Sequence, residues 1–291
     1  MAICPLGVVT IRVGVMAYAY AGEGSLDYFP CHYGTSKLLF RGPRRDLALP
    51  YVAVLGGTET YGKFIPRPWP ALVEDETGLR VVNLGCVNAG PDVYLSDPGV
   101  MDVVSGSRLA VVQVLGAANL TNRLYAVHPR RNDRFLRASG AMAQLYPEVD
   151  FTNFHFTRHL LQTLQAVSAS RFEVLVEELR RTWIARMRAL IEGAGVPVVL
   201  VWIAGQAPGP RGPADLSVDP LLVDRPMIDA VSNLAAAWVE ASSNLSGMAG
   251  VLDGMAFAEM ERPAAEGLPG PRAHEALALC VADAVDRLLQ S

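Results

Sequence analysis

Short apolar runs alternate with longer stretches of helical periodicity along most of the chain. The runs fall at 51–55, 80–84, 109–115 and 196–203, with a weaker one at 250–252, and each is built on valine or leucine. They are apolar at nearly every position rather than every second one, the pattern of strands buried on both faces of a parallel sheet. Between them, apolar positions recur every three or four residues over 69–77, 152–167, 171–193, 227–242 and 273–289. The 171–193 stretch is the clearest: Val174, Leu175, Leu179, Trp183, Met187 and Leu190 keep helical spacing, and Gly193 and Gly195 end it. This alternation predicts an α/β chain, a three-layer α/β/α domain over 46–291 with a five-stranded, mainly parallel sheet. Trp69, Trp183, Trp202 and Trp238 fall within these elements and read as core.

Residues 1–45 stand outside the alternation. Tyr28, Phe29, His32, Tyr33 and the apolar 38–40 are too hydrophobic for a free tail, so this segment is expected to be an arm. It packs on the main domain or contacts a second copy, giving a homo-oligomer. Residues 1–15 are apolar apart from Thr10 and Arg12, and Ala19-Tyr20-Ala21 imitates a signal-peptidase site. The start lacks positive charge and Arg12 interrupts the apolar run, so a cytoplasmic protein is expected, with secretion by an atypical signal the alternative. Met16 is a second possible start. The Pro- and Gly-rich 206–219 follows a buried strand, which places it over the carboxyl ends of the sheet as a lid or a plain connection.

Composition narrows the classes. At 291 residues with 51% hydrophobic, 19% charged and a net charge of −4, the chain is neither disordered nor attracted as a whole to nucleic acid. No apolar run is long enough to span a bilayer. Lys37 and Lys63 are the only lysines, which disfavours Schiff-base chemistry. The four cysteines, at 4, 31, 86 and 280, have neither CxxC pairing nor zinc spacing, and no metal or cofactor is expected.

Candidate chemistry concentrates after the first strand, where Gly56-Gly57-Thr58-Glu59-Thr60-Tyr61-Gly62-Lys63 leads toward a helix near Pro68. Gly57, Gly62 and Lys63 have the spacing of a phosphate-binding loop. Phe64 replaces the magnesium-binding hydroxyl, however, and Pro66 and Pro68 interrupt the helix that should follow. The other reading is a nucleophile turn carrying Thr58, with Glu59 beside it as a possible base or a capping carboxylate.

The second reading gains from order. The Gly56–Gly62 turn resembles the first block, Gly-Asp-Ser-x-Thr-x-Gly, of the SGNH (GDSL-type) hydrolases. Val82-Asn83-Leu84-Gly85 with Gly90 resembles their second block, Gly116-Ala117-Ala118-Asn119 their third, and 269–278 their last. The chain also resembles a family of uncharacterised bacterial proteins. The resemblance spans 50–291 and implies a flavodoxin-like, SGNH-like fold. It further implies an attacking hydroxyl at Thr58, oxyanion donors at the Gly85 N–H and Asn119, and a base at His274. The chain departs from the pattern in several places. Thr58 replaces serine, Gly57 replaces aspartate, Ala118 holds the strict asparagine position, and Leu268 stands where the catalytic histidine is expected. Superposition on the last block leaves His274 at a second, usually structural histidine.

The densest polar stretch follows the third strand: Asn122, Arg123, His128, Arg130, Arg131, Asn132, Asp133, Arg134 and Arg137. Guanidinium forks suit carboxylate, sulfate or phosphate, and the alternative is a solvated loop. Arg41, Arg44 and Arg45, with Gly22–Gly24, could form a second edge of the same kind, although a solvated loop is the expected reading. His155 and His159 are four apart and are expected on one helix face, without enough companions for a metal. Together these readings predict a divergent SGNH-like hydrolase or acyltransferase acting on a polar, anionic or saccharide ester. Glu59, Asn122, Arg123, His128, Arg130, Arg131 and Arg134 are the expected substrate-binding residues. The alternatives are a catalytically inactive saccharide- or anion-binding module, and a phosphate- or sulfate-group transferase using the Gly57–Lys63 turn.

Overall fold

The computed structural model describes residues 26–247 and 250–290. The N-terminal signal, the alternative start at Met16 and Gly22–Gly24 lie outside the described residues. Seven strands form in chain order: β1 (Tyr51–Leu55), β2 (Arg80–Asn83), β3 (Leu109–Gln113), β4 (Tyr125–His128), β5 (Arg131–Ala138), β6 (Val198–Trp202) and β7 (Ala237–Glu240). Eleven α-helical segments accompany them: α1 (Thr58–Tyr61), α2 (Trp69–Thr77), α3 (Pro91–Leu95), α4 (Pro98–Ser105), α5 (Gly140–Leu145), α6 (Thr157–Val167), α7 (Ala169–Gly193), α8 (Arg225–Ser232), α9 (Ser242–Leu245), α10 (Arg262–Glu266) and α11 (Pro271–Gln290).

Five strands make one sheet in the order β2-β1-β3-β6-β7, every neighbouring pair parallel. Alternate residues of each strand enter different cores. Val52, Val54, Leu109, Val111, Val199 and Val201 pack with α2 and α11 through Trp69, Val73, Leu277 and Val281. Ala53, Leu55, Ala110, Val112, Val198 and Leu200 face the other way, toward Tyr94, Leu160, Leu179, Trp183 and Met227. The three-layer α/β/α architecture follows from this period of two with both faces apolar.

Two elements differ from expectation. The fifth strand is Ala237–Glu240, not 250–252, and it interrupts the helix expected over 227–242. As an edge strand pairing only with β6 it is half-buried, so its residues lack the unbroken apolar signature of the central strands. The polar stretch after β3 is no loop either: β4 and β5 form an antiparallel hairpin, with Tyr125, Val127 and Phe135 buried beneath an exposed arginine-rich face.

The sheet order reverses at β1, where the chain steps outward to β2 and then back across to β3. Crevices at the carboxyl ends of strands form at such a switch point. The segment before β1 braces this end of the sheet. Tyr33, Leu38 and Phe40 join the larger core, and the buried Arg41 guanidinium donates to the carbonyls of Gly62, Ile65 and Pro66 at 2.5, 2.7 and 2.8 Å. Arg41 is therefore a structural clamp on the loop after α1, not part of an anion-binding edge.

Candidate functional site

A cleft of about 510 Å³ opens where β1, β2, β3 and β6 end. Gly57, Thr58 and Glu59 supply one wall, Val87, Asn88 and Ala89 the next, and Leu115, Gly116, Ala118 and Asn119 the third. Asp133 comes from β5, Phe156 from the segment bridged to it, Arg158 from α6, Asp219 and Leu221 from the 206–224 connection, and Leu268 from the turn before α11.

The turn entering the cleft is built by close approach. A Cβ on Gly56 would lie 2.0 Å from Thr60 Oγ1 and 2.5 Å from Gln113 Oε1, so only glycine fits there. Gln113, buried at the end of β3, organises the turn. Its Oε1 accepts from the Gly57 N–H at 2.8 Å and the Thr60 hydroxyl at 2.6 Å, while its Nε2 donates to Glu59 Oε2 at 2.8 Å. Burial raises the Glu59 carboxyl above its ordinary value. The Gln113 donor and the residue's own backbone N–H oppose that shift, and the charge of Asp219 adds to it.

Thr58 is held by a single partner. Its hydroxyl donates to Asn88 Oδ1 at 3.2 Å and accepts from the Asn88 N–H at 3.0 Å. Asn88 takes the left-handed backbone conformation, φ 55°, that presents both groups at once. Its Nδ2 donates to Asp133 Oδ2 at 3.3 Å. Asn119 reaches the cleft, where its Nδ2 donates to the Asn88 carbonyl at 3.0 Å and its Oδ1 accepts from the Thr157 hydroxyl at 2.6 Å. Thr58, Asn88, Asn119, Asp133 and Thr157 thus form one connected polar network.

The remaining hydrolase roles are not assembled here. The Gly85 N–H donates to Asn83 Oδ1 at 2.9 Å, and the glycine is pressed against the α1 backbone instead of lining the cleft. His274 is 1% exposed at the start of α11, where its Nδ1 accepts from the Trp69 N–H at 2.9 Å. Burial, reinforced by the charge of Arg41 and partly opposed by the Pro269 backbone, pushes it down to about 3. Among the described residues no histidine lines the cleft. Leu268 does line it, at the position where the resemblance places a histidine. The nearby Cys86 thiol is pushed up to about 12 by burial, which makes it a poor nucleophile.

The phosphate-loop geometry is likewise missing. Gly57 has its N–H committed to Gln113, α1 is a single turn, and Lys63 Nζ lies 3.5 Å from Glu261 Oε1 and 4.4 Å above the Phe64 ring. Among the described residues no three His, Cys, Asp or Glu side chains converge as metal ligands. No described helix is long and apolar enough to cross a membrane.

The polar stretch divides. Asn122 is structural, its Oδ1 accepting from the Leu124 and Tyr125 N–H groups at the start of the hairpin. Arg123 leaves the site to pair with Glu178 at 2.7 Å, a carboxylate held below its ordinary value by Arg123 despite its burial. His128, Arg130, Arg131 and Arg134 instead line a neighbouring cleft. His155 precedes α6 rather than lying on it, and His159 stacks on Phe154 at 5.1 Å, so the two do not form a pair on one helix face.

A family profile described as Domain of unknown function (DUF6473) matches residues 16–289. The chain belongs to that family. No curated protein matches the sequence. Solved structures similar to this member of the family include a lipase and proteins designated G-D-S-L and SGNH. The lipase Lip_vut3 from a goat rumen metagenome is 11% identical, with 81% of this chain and 97% of that one covered at a TM-score of 0.41. A G-D-S-L-family protein, lipolytic by designation, from Desulfitobacterium hafniense is 14% identical, with 81% and 99% covered at 0.36. A designated SGNH hydrolase from Slackia heliotrinireducens is 12% identical, with 80% and 98% covered at 0.34. At these identities and scores the likeness lends no residue a role.

Asn88, Gln113, Asp133, Thr157, Arg158 and Asp219 carry most of the cleft's polar chemistry, and motif reading selected none of them for the site. Gln113 left a usable signal: an amide inside the apolar run 109–115 has to be buried against partners. The others sit in segments whose convergence depends on tertiary structure.

Proposed function

We propose that this cleft binds a polar, hydroxyl-rich ligand of the saccharide class and does so without acyl transfer through Thr58. The carrying observation is the closed hydrogen-bond pair between Thr58 and Asn88. A hydroxyl is activated when a base takes its proton, and an amide oxygen is no base. Sugar hydroxyls both donate and accept. The cleft meets them with the carboxylates of Asp133 and Asp219, the amides of Asn88 and Asn119 and the Arg158 guanidinium, beside apolar surface from Phe156, Leu221 and Leu268 for the C–H faces. Thermal shift with cello-, xylo- and chito-oligosaccharides tests the reading. At least one should raise the melting temperature, and Asn119→Ala should weaken that effect. No response to any of the three would refute it.

One observation favours a second reading, hydrolysis of an acylated saccharide by water. The Glu59 carboxyl, raised by burial and aligned by Gln113, is a proton-transfer group in contact with the cleft. Acetyl release from acetylated oligosaccharides that persists in Thr58→Ala and disappears in Glu59→Gln would establish it. Release from neither the wild type nor the variants leaves recognition alone.

A further inference from the structure

A second cleft, of about 740 Å³, lies between the 26–45 segment and the β4–β5 hairpin. Lys37 faces it from the first, and His128, Arg130, Arg131 and Arg134 from the second, over a floor that includes Leu38, Tyr61, Cys86 and Val87. Among the described residues no aspartate or glutamate lines it. Among the described residues, none of the four cations forms an ion pair. Most other described arginines are paired, including Arg123 with Glu178 and Arg158 with Asp219. On a chain of net charge −4, these four cations share one concavity that no described carboxylate lines, and like charges so grouped repel each other.

Two of the basic groups are also oriented. The Arg134 guanidinium lies over the Phe156 ring at 4.1 Å, which fixes its plane and leaves donors at its edge. His128 Nδ1 accepts from the Arg130 N–H at 3.2 Å, so the neutral ring carries its proton on Nε2 as a further donor. Asp97, which accepts from the Lys37 N–H, is also engaged by the Ser36 hydroxyl and the Val100 N–H, and does not line the cleft. The two clefts adjoin: Val87 lines both, and the Arg134–Phe156 stack joins a residue of the second to a residue of the first.

We propose that this basic cleft is an oxyanion subsite, which takes carboxylate, sulfate or phosphate groups of an acidic saccharide whose hydroxyls and ring faces occupy the first cleft. The proposal rests on the saccharide reading for the identity of the ligand, and on the hairpin and Lys37 for its charge. Guanidinium forks match the planar carboxylate and the tetrahedral oxyanions, and a row of three along one hairpin spans more than one charged group.

Calorimetric titration with trigalacturonate, its fully methyl-esterified form and inorganic sulfate, each at low and high salt, tests this. The acid should bind more tightly than its ester and weaken with salt. The Arg130→Ala/Arg134→Ala double variant and Lys37→Ala should each weaken the acid, the double variant by about tenfold or more, and leave the ester unaffected. Arg137→Ala, which removes an exposed charge from the same hairpin outside the cleft, should change little. Equal affinity for acid and ester, indifference to the double variant, or no binding of any probe would overturn the subsite. Sulfate binding without trigalacturonate binding would assign the cleft to a free anion and overturn it as well. Asn119→Ala separates the two readings. Ester binding that ignores it removes the first-cleft reading, whereas the contrast between acid and ester across the double variant decides the oxyanion subsite alone.

Discussion

Acidification should destabilise this protein through His274. The ring is buried and uses Nδ1 to accept from the Trp69 N–H, the first donor of α2. Protonation would turn that acceptor into a donor facing a donor and leave a cation in apolar surroundings. The unfolded chain takes up the proton near 6.5, whereas the folded chain resists it until about 3. Because the folded value is depressed, the contribution of neutral His274 is complete above 6.5 and is lost as pH falls toward 3. A gap of about 3.5 units at ~1.4 kcal/mol per unit amounts to roughly 5 kcal/mol, as much as the whole stability of many domains. Urea denaturation between about pH 7 and pH 4 measures this slope. His274→Gln, whose Oε1 still accepts from Trp69, should lower stability at neutral pH by loss of ring packing but flatten the slope. Equal slopes in the two proteins, or an NMR titration of the folded ring near its ordinary value, would refute the reasoning and return His274 to the list of available bases.

Three further outcomes are expected. Gln113→Leu leaves the Gly57 N–H and the Thr60 hydroxyl without their acceptor and should cost about 2–6 kcal/mol, read from denaturant midpoints. Glu59 has a raised folded value, so the favourable effect of its protonated form is complete below the ordinary carboxyl value and is lost as pH rises through the folded one. Glu59→Gln should therefore gain stability relative to the wild type at neutral pH, and urea curves across pH check the sign. Arg41→Met abandons the carbonyls of Tyr61, Gly62, Ile65 and Pro66 below the Thr58 turn and should cost about 2 kcal/mol or more, with faster proteolysis within 26–45.

The fold was legible because its strongest signals are local. Val52, Val54, Val111 and Val199 belong to runs apolar on both sides, which a covered parallel sheet requires, and α7 repeats Leu175, Leu179, Trp183, Met187 and Leu190 at helical spacing. The elements misread have weaker local patterns. β7 sits at the sheet edge, and the hairpin carries buried Tyr125, Val127 and Phe135 among more numerous exposed polar residues. Of the cleft, the sequence pointed to Thr58 and Glu59 on the glycine turn and to Asn119. The family resemblance suggested Gly85 and His274 but was blind to the hydrogen bonds that Asn83 and Trp69 make to them, which occupy the groups a catalytic role needs. Arg123 and Arg130 were indistinguishable in sequence, and only the position of Glu178 on α7 separates a paired arginine from an unpaired one.

The most direct test of the central claim is release of product from para-nitrophenyl acetate and from an acetylated xylo-oligosaccharide by the wild type and by Thr58→Ala. With its hydroxyl closed on Asn88 and no histidine lining the cleft, Thr58 should contribute nothing, and the two proteins should give the same rate, whether zero or finite. Turnover present in the wild type and lost in Thr58→Ala, with saccharide binding retained, would contradict the account and make Thr58 a nucleophile.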